Sequence, residues 1–357
     1  MTPALKQRNS AMELLRILAM FLIIFSHYIS HGTGENLDGS FNSIITLLFQ
    51  TGNIGTDIFI LLSGYFLINS KFSFKKVFTL IFQVVFYSIC FYAVCLLTSA
   101  HSFSFSDTIT AFLPTSFSLY WFFTTYIVMY LLSPFVNKFL NSVSKETHLK
   151  VLLATTFLWV ILPTFTTRSF AGSELTLFLT LYIIGAYIRK YPNNLLTKNR
   201  NDIILIVLCT CFIAVFALGV LKIMPSFAEY ATYFYSRQSL FVVLLSAGLL
   251  SFFSKIKPFC SKALNTVSGT IFGIYLIHDN RFFRGFMWNE IFETDKFGTG
   301  NFILVHMLCC AVTVFVACFV IEFIRNKIIE KPVLILYDKV YDKLSPKISS
   351  VLKKISE

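Results

Sequence analysis

Long apolar runs separated by short clusters of basic residues set the pattern of this chain. Crossing about 30 Å of hydrocarbon takes a helix of about 20 apolar residues. Ten stretches come near that length: 12–31, 53–70, 77–98, 119–140, 150–167, 174–190, 202–221, 236–253, 268–287 and 302–324. The pattern predicts an all-α, polytopic membrane protein of about ten transmembrane helices. No period of 20–50 residues recurs, and no Pro/Gly/Ser-rich linker divides the chain. A single membrane-embedded domain over 1–335 is expected, followed by a short basic cytoplasmic tail over 336–357.

The basic residues orient the expected helices. With the N-terminus inside, 24 of the 30 Lys and Arg residues fall on the cytoplasmic side, and only Arg168, Lys222, Arg237, Arg281, Arg284 and Lys296 lie outside. Such a bias supports both termini being cytoplasmic. The first run is expected to be retained rather than cleaved, because Arg16 sits within it and no small-x-small site follows Tyr28. In the tail, apolar residues interleave with Lys339, Lys343, Lys347, Lys353 and Lys354. Two readings fit: a segment lying on the anionic leaflet, or a solvated, frayed end.

Composition changes the picture by what it excludes. Of 357 residues, 56% are hydrophobic and 13% charged, with mean hydropathy +0.71, whereas a soluble chain carries about 25% charged residues. Too few polar side chains exist to coat a soluble surface. Disorder, collagen-like repeats and a small disulfide scaffold are excluded on the same grounds. The net charge of +12 therefore marks basic cytoplasmic loops, and no nucleic-acid partner is expected. The eight cysteines lie almost entirely in apolar runs without a C-x-x-C pair, which reads as small apolar helix residues.

Ionisable residues inside apolar runs are costly and point to function. Arg16 precedes His27 by eleven residues, about 16 Å along a helix and close to three turns, so both lie on one face. A ligand touching both must be long and thin, with anionic groups at its inner end. Asp57, in the second run, and Tyr275 and His278, in the ninth, reach a similar depth to His27 by topology. There is no phosphate-binding G-x-x-x-x-G-K-[ST] loop, no H-E-x-x-H and no G-x-S-x-G. His27 and His31 are spaced for a shared metal, but the sequence places no third ligand beside them, so no metal is expected.

Five motifs in order carry a resemblance to a known family. ELLRILAMFLIIFSH (13–27), with its Arg-x10-His spacing, is similar to the opening helix of the acyltransferase 3 family of integral membrane acyltransferases. GTDIFILLSGYFL (55–67) resembles its second helix, LYWFFTTYIVMYLLSPF (119–135) its aromatic fourth, IFGIYLIH (271–278) its late Tyr/His helix, and IEKP (329–332) the Glu-[Lys/Arg]-Pro closing its last helix. Two departures stand out. Thr56 replaces a bulkier apolar residue, and no SGNH-type hydrolase domain is expected after residue 357, leaving open what carries the acyl group far beyond the membrane.

The resemblance implies transfer of an acyl group, usually acetyl, from cytoplasmic acetyl-CoA to a hydroxyl of a lipid-linked or surface polysaccharide at a bacterial plasma membrane. Arg16 and His27 correspond to the family's functional pair. On that reading Arg16 contacts the coenzyme, His27 is the general base and Asp57 orients it, with an acetyl-His intermediate as a variant. Tyr275, His278 and Arg237 are candidates for substrate contact or support. Expected partners are acyl-CoA, a carbohydrate acceptor, the bilayer and a further copy of the chain. The competing expectation is a transporter or flippase of a polyprenyl-linked glycan, in which the same residues line a path.

Overall fold

The computed structural model describes residues 9–33, 44, 48–166, 172–297 and 302–341, and among them all regular structure is helical. The sequence expectations for Arg168 and for the tail beyond residue 341 lie outside the described residues. Helix α1 (Ser10–Tyr28) begins where the Asn9 side chain accepts from the Ala11 N–H at 3.1 Å, satisfying one of the donors a helix start leaves free. It runs on through a widened five-residue turn, Ile29–Thr33. Next come α2 (Gly52–Leu67) and α3 (Phe74–Leu97), then the short α4 (Phe105–Phe112) and α5 (Trp121–Ser142). The chain continues through α6 (Lys145–Thr156), α7 (Glu174–Lys190), α8 (Asn201–Ile223) and α9 (Leu240–Lys255). It ends in α10 (Lys262–Gly269), α11 (Ile271–His278) and α12 (Ile303–Arg325).

Six helical stretches among the described residues are long and apolar enough to cross a membrane: Ser10–Thr33, Phe74–Leu97, Lys145–Thr166, Asn201–Ile223, Pro225–Lys255 and Ile303–Tyr341. This is a multi-pass membrane protein. Two further expected spans, α2 and α7, are helices of 16 and 17 residues whose surfaces are mostly buried against other helices. The ninth, 268–287, is not one helix. It breaks at Thr270, between α10 and α11, and ends at His278, after which the chain turns through Asp279 and Asn280.

Helix α2 lies against α1, α7 and α9, and glycine sets how closely. A Cβ on Gly64 would stand 2.1 Å from the Tyr182 carbonyl oxygen of α7, and one on Gly185 of α7 would stand 2.1 Å from the Leu61 oxygen of α2. The two backbones touch, as small residues permit between membrane helices. On the other side Gly55 faces the Ala19 carbonyl of α1, where a Cβ would approach to 2.4 Å.

A second contact is polar. Glu322 of α12, 1% exposed, accepts from Gln83 Nε2 at 2.9 Å and Tyr87 OH at 2.7 Å of α3, and from Arg325 Nε at 2.7 Å. Arg325 also pairs with Glu330. The Glu-Lys-Pro at 330–332 does not close the last helix as the family pattern implies. Helical structure continues to Tyr341 through a widened turn at Asn326–Glu330, placed just ahead of Pro332, which has no N–H to donate. Glu330 thus anchors Arg325.

Two consequences are measurable. Gly64→Ala and Gly185→Ala should each destabilise the fold by about 1–3 kcal/mol through overpacking. Gly219→Ala, where a Cβ meets nothing within 4 Å, should leave the melting temperature in detergent unchanged. Glu322→Ala should cost about 3 kcal/mol, the lower end for breaking a buried ion pair, because Glu330 still faces Arg325. A thermal melt matching the parent protein would contradict that role.

Candidate active site

Arg16 and His27 open onto one cavity of about 340 Å³. At one end, beside the N-terminal half of α1 and the start of α3, its wall holds Arg16, Lys76 and Ser268. Arg16 pairs with Glu13 one turn earlier and donates to Ser268 Oγ at 3.1 Å, while its guanidinium lies 5.9 Å from the Phe66 ring centroid. At the other end the wall holds His27, Tyr275 and Asp279. The wall also carries the aromatic side chains of Trp121, Phe122, Tyr126 and Phe272.

His27 Nδ1 lies 3.0 Å from His278 Nε2, and His278 Nδ1 lies 2.7 Å from the Ile274 carbonyl oxygen. A carbonyl oxygen only accepts, so His278 carries its proton on Nδ1 and, neutral, has a lone pair on Nε2. His27 therefore donates from Nδ1–H, and its own lone pair resides on Nε2. One backbone carbonyl thus sets the tautomers of both rings. Asp279 Oδ1 stands 4.0 Å from His27 Nδ1, 3.5 Å from His31 Nε2 and 2.9 Å from Arg284 Nη1.

Of the residues expected from sequence, the fold brings together His27, His278 and Tyr275, and it places Arg16 on the same cavity. Tyr275 is buried, its hydroxyl without a hydrogen-bond partner among the described residues. Asp57 is not joined to His27. It is fully buried, and neither carboxylate oxygen has a hydrogen-bond partner among the described residues. Its charged neighbours are Arg237 and Glu174. Equal depth did not bring equal direction: Thr56 lines the cavity, and one residue further on is a rotation of about 100°.

Arg237 stands behind the cavity wall. It bonds Glu174 Oε1 at 2.8 Å, and its guanidinium covers the Trp121 ring at 3.9 Å, so it braces a wall residue by a cation–π contact. Asp279 lies one residue beyond the apolar helical pattern that points to Tyr275 and His278. Its direct adjacency to His278 was the available signal.

An anion-compatible end, an aromatic wall and an oriented imidazole suit a ligand with a charged tail and a reactive tip. Comparison with curated proteins and with solved structures returns no match. A family model described as an acyltransferase domain matches residues 9–323, which contain every wall residue named above, and the chain belongs to the acyltransferase 3 family.

Proposed function

We propose that this enzyme moves an acyl group, acetyl in the first instance, from acyl-CoA on the cytoplasmic side to a hydroxyl of a surface or lipid-linked polysaccharide at a bacterial plasma membrane. The observation that carries the reading is the single cavity shared by Arg16 and His27, two groups about 16 Å apart along one helix. Coenzyme A thioesters are long and thin, with phosphates at one end. Arg16 and Lys76 suit that end, and the thioester then extends along the aromatic wall toward His27.

At the reacting end, His27 Nε2 takes the proton of the acceptor hydroxyl as its oxygen attacks the thioester carbonyl. The C–S bond breaks, and the departing thiolate recovers that proton from the imidazolium, giving ester and free coenzyme A. His278 holds the ring through Nδ1, and Asp279 offers the imidazolium a negative charge 4.0 Å away. The role first expected of Asp57 is thus assigned to Asp279, a positioning residue.

His27→Ala should lower acyl transfer by on the order of 10² to 10⁴ with expression unchanged. Asp279→Asn should lower kcat more than it changes KM. Combining Asp279→Asn with His27→Gln should add little further loss, because groups acting as a unit are non-additive, whereas Asp57→Asn and His27→Gln should multiply. Multiplicative loss for the first pair would remove Asp279 from the mechanism.

Arg16→Ala should weaken coenzyme A binding, read by calorimetry, and Arg16→Lys should restore only part, since the planar fork that pairs with phosphate is lost. Unchanged affinity in the alanine variant would reassign Arg16 to holding α1 through Glu13 and Ser268.

A further inference from the structure

His31 enters none of the steps above, yet it stands beside them. The widened turn Ile29–Thr33 carries its ring to 4.9 Å from that of His27, centroid to centroid. Two imidazoles alone make a poor metal site, but the fold adds a carboxylate that stands about 250 residues further along the sequence. One donor atom each from His27, His31 and Asp279 lies within 4.8 Å of the other two. A tetrahedral zinc ion with bonds of about 2.0–2.2 Å holds its ligands about 3.4 Å apart. Here His31 Nε2 and Asp279 Oδ1 are 3.5 Å apart, and His27 Nδ1 and Asp279 Oδ1 are 4.0 Å apart. The two imidazoles keep 19% and 24% side-chain exposure, and the Asp279 carboxylate 6%.

From this geometry we infer that His27, His31 and Asp279 bind a divalent transition-metal ion of the zinc class, and that the bound ion switches acyl transfer off. Two imidazoles and a carboxylate favour zinc over magnesium or calcium, which take oxygen ligands. The inhibitory half rests on His27 being the base. The nitrogen of His27 that faces Asp279 is Nδ1, which in the metal-free site bears the proton. A metal bond there needs the Nδ1 lone pair, so the ring proton must reside on Nε2 instead. Zinc-bound His27 then presents an N–H where free His27 presents the lone pair that accepts the hydroxyl proton. Two contacts oppose the ion: the His27–His278 hydrogen bond must break, and Arg284 already holds Asp279 at 2.9 Å. Binding is therefore expected to be reversible.

The test uses the full chain, purified in detergent and stripped with a chelator, titrated with zinc chloride by calorimetry and followed by X-ray absorption. One zinc ion per chain with imidazole scattering is expected, with no response to magnesium chloride. His31→Ala and His31→Gln should each weaken zinc binding by about 100-fold or more, since even second-layer partners of a metal are worth 10–100-fold. Both variants should keep basal turnover and lose sensitivity to zinc, while the parent protein is inhibited and recovers with chelator. No zinc binding up to about 100 µM, or undiminished binding in both His31 variants, overturns the site. Stoichiometric zinc binding without inhibition overturns the switch. If the metal-free protein transfers no acyl group to any acceptor, the active-site reading fails separately, and the titration alone still decides whether the ion binds.

Discussion

The register of α1 against α2 is the contact on which the site depends. Gly55 lies on the Ala19 backbone and Gly52 on Ser26, where added Cβ atoms would stand 2.4 and 2.7 Å away. These contacts bracket much of the helix between Arg16 and His27. Backbone so close cannot rotate, so the remaining face of α1, bearing both functional side chains, is committed to the cavity. The Gly64–Gly185 contact extends the same logic to α7, so α1, α2 and α7 form one closely packed stack.

Among the described residues, the carboxylates inside this bundle follow one rule with one exception. Glu13 with Arg16, Glu322 with Arg325, and Glu174 with Arg237 are all held in pairs. Pairing lowers the cost of a charge in a medium that cannot solvate it. Asp57 is the exception, buried without a hydrogen-bond partner among the described residues. Its nearest charges, Arg237 and Glu174, are already engaged with each other and brace Trp121 in the cavity wall.

Periodicity along single helices was legible in the sequence. The eleven-residue spacing of Arg16 and His27 correctly implied one face, and the late Tyr/His motif lies at the same cavity. What the sequence did not disclose was direction between helices. Depth can be read from topology, but azimuth is set by packing, and that separates Thr56, in the wall, from Asp57, behind it. The break at Thr270 was hidden, because apolar character runs on through it, whereas the polar Asp279-Asn280-Arg281 after His278 marks the second break in the sequence. Asp279 is the residue at which α11 ends, its N–H still bonded to the Tyr275 carbonyl oxygen at 3.1 Å.

The pairing of His27 with His278 also constrains how the protein is made. The two residues are 251 positions apart, and ribosomes add about 5–20 residues per second, so roughly 13–50 s separate their synthesis. Throughout that interval α1 carries a committed polar face with no imidazole opposite it. Assembly of the reacting end is thus a late event in biogenesis, reached only after the α10–α11 break has been translated and threaded back against the first helix. A chain truncated before α11 can insert most of its apolar length and still hold His27 in no defined tautomer.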